Sequence, residues 1–111
     1  MRVGMAKRRP SARTERRERE RAAEKLVRDR ERLARLEPGG APERPIPVDS
    51  ASQIEPHAVS MGCLRCEGDL RVDEHAAVSV DGASLRRVTL LCARCGSRRD
   101  VWFAIRVGLP S

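Results

Sequence analysis

The chain has 111 residues, and 23 Lys and Arg stand against 16 Asp and Glu, for a formal charge of +7 and a pI near 10.5. No stretch approaches the ~20 apolar residues that cross a bilayer, the N-terminus lacks the apolar core of a secretory leader, and its many glutamates do not suit a transit peptide. With one Trp, one Phe and no Tyr, the sequence has room for one small domain with a thin apolar core.

Residues 1–14 read as a disordered basic lead-in carrying Lys7, Arg8, Arg9 and Arg13, and Met5 is as plausible a start as Met1. Residues 15–37 contain no Gly or Pro and are rich in Glu, Arg, Ala and Leu, which predicts a charged helix. Ser11 or Thr14 is placed to cap it, and Pro38-Gly39-Gly40 stops it. Glu15–Arg19, Glu24–Arg28 and Glu31–Arg35 are i,i+4 pairs in the favoured order. Ala22, Leu26, Leu33 and Leu36 share a heptad seam that Asp29 interrupts, so a coiled coil is weakly supported. The bland expectation is a solvated helix held by ion pairs. The Leu26/Leu33/Leu36 stripe docking on a protein partner, and a helix lying along nucleic acid, are the sharper ones.

Residues 38–56 hold five prolines with Gly, Ser and Ala, and read as a Pro-rich linker, partly extended. Pro42 and Pro45 fit a P-x-x-P ligand, a pattern common by chance. The linker makes independence of helix and C-terminal domain the expectation.

From residue 57 to 111 the pattern becomes β-rich. Ala58-Val59-Ser60-Met61 leads as a strand into Cys63-Leu-Arg-Cys66. Leu70 and Val72, then Val78 and Val80, alternate as a strand, and Asp81-Gly82 is a hairpin signal. Leu85 to Leu91 delivers the chain to Cys92-Ala-Arg-Cys95. Val101, Phe103, Ile105 and Val107 then share one face of a final strand, with Trp102 and Ala104 on the other. The order is strand, knuckle, strand, hairpin, knuckle, strand, within a small α+β fold class: a C-terminal all-β ribbon, a charged N-terminal α-helix and a Pro-rich linker.

The four cysteines, Cys63, Cys66, Cys92 and Cys95, are the only ones in the chain, and 25 residues separate the pairs. Two C-x2-C pairs at this separation predict a tetrahedral site for one Zn²⁺, because soft thiolates converge on one ion where the chain turns tightly. Gly96 after the second pair permits that turn, whereas Glu67 follows the first pair and Gly68 comes one later. Iron in a rubredoxin-like site is the minor alternative; thiol redox chemistry lacks the βαβ pattern it usually accompanies. Arg65 and Arg94 repeat between the knuckles, as exposed cations for phosphate or as compensation for a dianionic centre.

These two knuckles, C63-L-R-C66-E-G and C92-A-R-C95-G-S, with β-rich sequence between and after, resemble the zinc-ribbon class over roughly the last 50 residues. The resemblance implies a fold and a metal, and it serves transcription factors, polymerase subunits, ribosomal proteins and adaptors alike.

Catalysis is not expected. Four cysteines close a zinc site, His57 and His75 have no ligand spacing, and the H-x-E and P-C-x-x-C parts of zinc deaminases are missing. Asp73-Glu74 precedes the hairpin and reads as a solvated acid pair. No small-molecule substrate and no membrane are implied. The compartment expected is a reducing bacterial cytoplasm, from paired CxxC motifs and an Arg-over-Lys bias.

Charge divides the chain. Residues 1–37 hold 14 basic and 7 acidic side chains, while residues 63–111 hold 8 and 6. Two negative charges on a zinc tetrathiolate would cancel the ribbon's surplus. Candidate nucleic-acid contacts are therefore Lys7, Arg8, Arg9, Arg13, Arg16 and Arg17 on the arm, with Arg86, Arg87, Arg98 and Arg99 on the ribbon. Trp102 is the lone aromatic that would stack on a base, if exposed. The competing expectation is a protein-interaction or scaffold ribbon that never touches nucleic acid.

Overall fold

A computed structural model describes residues 11–106. Lys7, Arg8, Arg9 and Val107 lie outside the described residues. The fold is small α+β: a long helix, a short helix and a four-stranded mixed sheet.

Helix α1 spans Ala12–Leu36. Ser11 caps it, its Oγ accepting from the Thr14 backbone N–H at 3.1 Å, which satisfies one of the orphan donors of the first turn. The helix thus begins three residues earlier than expected, and Arg13 belongs to it and not to a disordered lead-in. Every residue from Ser11 to Leu26 is exposed. Burial begins only at Val27 and is complete only at Ala34. Most of α1 is therefore an arm standing in solvent.

The Pro-rich segment is not a free linker. Ile46–Val48 forms strand β1, which pairs parallel with the last strand in the register Ile46↔Phe103, Pro47↔Ala104, Val48↔Ile105. Pro47 is tolerated because β1 is an edge strand, where a missing N–H need break no ladder bond. Pro42 and Pro45 line a hollow with Val80 and Leu85 at the hairpin tip, so the P-x-x-P pair lies against the protein's own surface. Ala51–Gln53 is a single 3-10 turn leading into helix α2, Ile54–Val59.

The expected strand before the first knuckle is thus a helix. Its cause is legible afterwards: Ile54 and Ala58, four apart, are both fully buried on one face. Pro56 sits in the first turn, where its missing N–H would have been unpaired.

Strands β2 (Leu70–Val80) and β3 (Ala83–Cys92) form the predicted hairpin. Asp81 and Gly82 turn it with φ of 49° and 80°, the positive pair that matches strand twist in a two-residue loop. Strand β4 (Arg98–Ile105) completes the order β1-β4-β3-β2. A bulge at Asp73 shifts the register between Val72 and Glu74. It swaps the faces of all later β2 residues, so Val78 and Val80 do not share a face with Leu70 and Val72.

One face of the sheet carries the core. Leu70, Val88, Leu90, Val101 and Phe103 pack there with Ile54, Ala58 and Val48, and Cys63 and Cys92 belong to the same cluster. The opposite face carries pairs of polar side chains: Arg87 on Glu74 at 2.8 Å and Thr89 on Asp100 at 2.7 Å. The last turn of α1 is tied to this body. Arg44 Nη2 donates to the Arg35 carbonyl, Arg65 pairs with Glu31 at 3.3 Å, and the Trp102 N–H donates to the Gly39 carbonyl at 2.9 Å. Helix and ribbon are joined at this end, contrary to the independence expected of the linker. Among the described residues no helix is long and apolar enough to cross a membrane.

Candidate metal centre

The two knuckles are built alike. In the first, the Cys63 N–H donates to Gly68 O and the Glu67 N–H to Cys63 O, at 3.1 and 3.0 Å. In the second, the Cys92 N–H donates to Ser97 O and the Gly96 N–H to Cys92 O, at 2.9 and 3.0 Å. Both loops need a left-handed residue after the second cysteine. Gly96 supplies it at φ 76°, and Glu67 adopts it at φ 61°. For a glutamate this conformation costs on the order of 1 kcal/mol. The first knuckle therefore takes the same shape as the second, under strain. Gly68 has a separate reason to be glycine. A Cβ there would lie 3.1 Å from Cys66 Sγ and 3.2 Å from Cys92 Sγ.

Four thiols converge as a result. Their sulfurs all lie within 4.8 Å of one another. Cys63 and Cys95 are 3.6 Å apart, and Cys66 and Cys92 are 3.4 Å apart. A disulfide needs about 2.05 Å, whereas thiolates at ~2.3 Å from one tetrahedral ion stand about 3.8 Å apart. The geometry fits four ligands around one metal ion, and all four cysteines are free thiols. The backbone N–H groups of Arg65, Arg94 and Cys95 point at Cys63 or Cys92 Sγ from 3.4 Å, donors that offset negative charge on sulfur.

Protonation follows the same contacts. Burial alone would raise the Cys63 thiol, but Ser97 and the backbone N–H groups of Cys66 and Arg65 more than offset it and hold it at about 6. Cys95 is lowered, chiefly by Ser97. For Cys66 the Gly68 backbone favours the thiolate, yet burial and the neighbouring sulfurs outweigh it and push the thiol up to about 12. Without a cation the cluster resists complete ionisation; a divalent ion removes that resistance.

Ser97 was not singled out in the sequence. Its Oγ lies 3.3 Å from Cys63 Sγ and 3.1 Å from Cys95 Sγ, linking sulfurs from both knuckles. The only sequence signal for it is its place two residues after Cys95.

The histidines stay away from the thiol cluster. His57 packs edge-on against Phe103 with ring centroids 5.7 Å apart. His75 lies between Glu55, at 2.8 Å, and Arg86, at 3.2 Å. Asp73 is engaged by Arg98.

The structure does not bring the four ribbon arginines together. Register places Arg86 and Arg99 on the core face and Arg87 and Arg98 on the other. Arg86 contacts His75, Arg87 pairs with Glu74 and Arg98 with Asp73. Burial lowers the Arg99 pKa, against the opposing pull of Glu37 and Cys63. Trp102 is half-buried. Arg13, Arg16 and Arg17 are exposed on α1. A cleft of about 430 Å³ separates the last turn of α1 from the cysteine cluster, lined among others by Glu31, Arg35, Arg65, Arg98 and Arg99.

No family model, no curated protein and no solved structure matches this chain.

Proposed function

We propose that this chain is a non-catalytic zinc ribbon that carries a charged helical arm to nucleic acid, as an accessory module of the transcription or translation type. The convergence of four thiols within 4.8 Å carries the metal half of this reading. An all-cysteine set suits Zn²⁺ in a structural role, with no position left for substrate. Cys63, Cys66, Cys92 and Cys95 would hold the ion, and the ion would supply cross-linking between the β2 and β4 ends of the sheet. Iron in the same ligands is the minor alternative.

The nucleic-acid half rests on where the free charge stands. Two of the four candidate arginines of the ribbon, Arg87 and Arg98, are paired with its own acids, while every residue of the arm from Ser11 to Leu26 is exposed. Such an arm gains affinity by releasing counterions from phosphate. Binding of the zinc-loaded full chain to duplex and single strands, compared at low and physiological salt, tests this. We expect binding that weakens steeply with salt. Absence of binding at low salt would end the nucleic-acid reading.

A second reading keeps the ribbon and makes the arm a protein-docking helix. It is favoured by Leu26, Leu33 and Leu36, which are 52%, 59% and 65% exposed on a stripe turned away from the body. Under that reading, polar substitution of the leucines, and not of the cations, abolishes partner binding.

A further inference from the structure

Six cations of α1 fall on one face: Arg17, Arg21, Lys25, Arg28, Arg32 and Arg35. At 3.6 residues per turn they occupy a sector about 80° wide and run about 27 Å along the axis. No acid lies within that sector. Glu20, Glu24 and Glu31 border it on one side; Glu18, Asp29 and the leucine stripe border it on the other. All six are exposed. Only Arg32 reaches an acid among the described residues, Asp29 at 4.0 Å.

The ordinary explanation for such a helix is internal ion pairing. It does not account for this face. The favoured Glu15–Arg19, Glu24–Arg28 and Glu31–Arg35 pairs are not closed, and Glu31 instead pairs with Arg65 in the first knuckle. Successive members of the ridge, three or four residues apart, are all cations and repel one another, while the acids at the same spacing, Glu20, Glu24, Asp29 and Glu31, stand at its borders. The arrangement becomes favourable when a row of anions lies against it.

We infer that this ridge is a phosphate-binding track for duplex nucleic acid. The inference rests on the nucleic-acid reading above and names its surface. A duplex presents a regular, rigid row of phosphates, one about every 3.4 Å of axis on each strand, against which a straight ridge of ~27 Å can be laid. A flexible single strand offers no such fixed row, and α1 has no aromatic side chain on which its bases would stack. Arg35, at the ridge's end, also lines the cleft that holds Arg65 and Arg99, so the cationic surface continues to the metal knuckle. The track takes in Arg17 and leaves out Arg13 and Arg16, which point to other sides of the helix.

The test compares two zinc-loaded full-length variants with equal net charge, R21Q/R28Q/R32Q on the ridge and R13Q/R16Q/R19Q off it. Each is titrated against mixed-sequence duplex DNA, duplex RNA, single-stranded DNA and phosphatidylserine vesicles, with helicity checked by circular dichroism. We expect duplex binding whose salt slope is about −5 in the parent chain and about 3 shallower in the ridge variant, with the off-ridge variant close to the parent. Preference between the two duplexes identifies the source of the phosphates. Equal losses in both variants would overturn the ridge while leaving nucleic-acid binding intact. Tighter binding to single strands or to vesicles would also overturn it. No binding by the parent chain at low salt would remove the underlying reading as well.

Discussion

The two halves of this molecule solve the same shortage of apolar surface in opposite ways. The ribbon gathers Leu70, Val88, Leu90, Val101 and Phe103 into a core that also includes Cys63 and Cys92, so its candidate metal ligands are part of its packing. The arm gathers nothing. From Ser11 to Leu26 it has no buried residue, and its helicity rests on propensity, one cap and a tether at its last turn. A thin core held by a cross-link can be small and still rigid, whereas a helix without tertiary contacts is marginal in water. The difference separates what packs the protein from what it leaves exposed.

The largest effect that would sharpen this contrast is loss of one ligand. Cys92→Ser should remove most of a metal contribution on the order of 10–16 kcal/mol and unfold the sheet, read as collapse of hydrogen-exchange protection in β2, β3 and β4. Protection in the exposed part of α1 is already low and should barely change. Retention of sheet protection would show that the sheet stands without the full ligand set.

An intermediate effect is pH dependence. Cys66, pushed up to about 12, keeps its proton at neutral pH in the metal-free protein, so Zn²⁺ must displace it and affinity rises with pH. Cys63, held at about 6, is already a thiolate at neutral pH but regains its proton below about 6. Zinc affinity should therefore fall as pH drops, and fall more steeply below about 6. A competition titration against a chromophoric chelator on both sides of that value measures the slope; a pH-independent affinity would contradict the thiolate assignment. The smallest effect belongs to the arm. Ser11→Ala should lower helicity by a cap's worth, about 1 kcal/mol, without moving the melting of the ribbon.

Much of the ribbon was legible because its signals are local and stereochemically strict. The C-x2-C spacing, the Asp81-Gly82 turn and the alternation of Val101, Phe103 and Ile105 each admit few conformations. What escaped was set by longer-range contacts. Ala58-Val59 has strand-like composition, yet Ile54 and Ala58 bury together only as a helix against the sheet. Ile46-Pro-Val reads as linker until β4 offers an unpaired edge. Asp73 gives no sign that it is a bulge, and that single extra residue reverses the faces of Val78 and Val80. Ser97 could not be read as a metal-site residue, because serine after a knuckle is ordinary until its hydroxyl is seen between two sulfurs. On the arm, the helix was plain from composition, but the expected ion pairs were not closed; Glu31 turned to Arg65, a partner that only the fold brings near.

We propose that one metal ion held by four thiolates makes this sheet possible. Native mass spectrometry of the full chain, with and without a chelator and alongside circular dichroism, tests it most directly. We expect one zinc per chain, no disulfide, and loss of sheet structure when the zinc is withdrawn. Two disulfides in place of the ion, or a sheet that survives complete removal of metal, would contradict it.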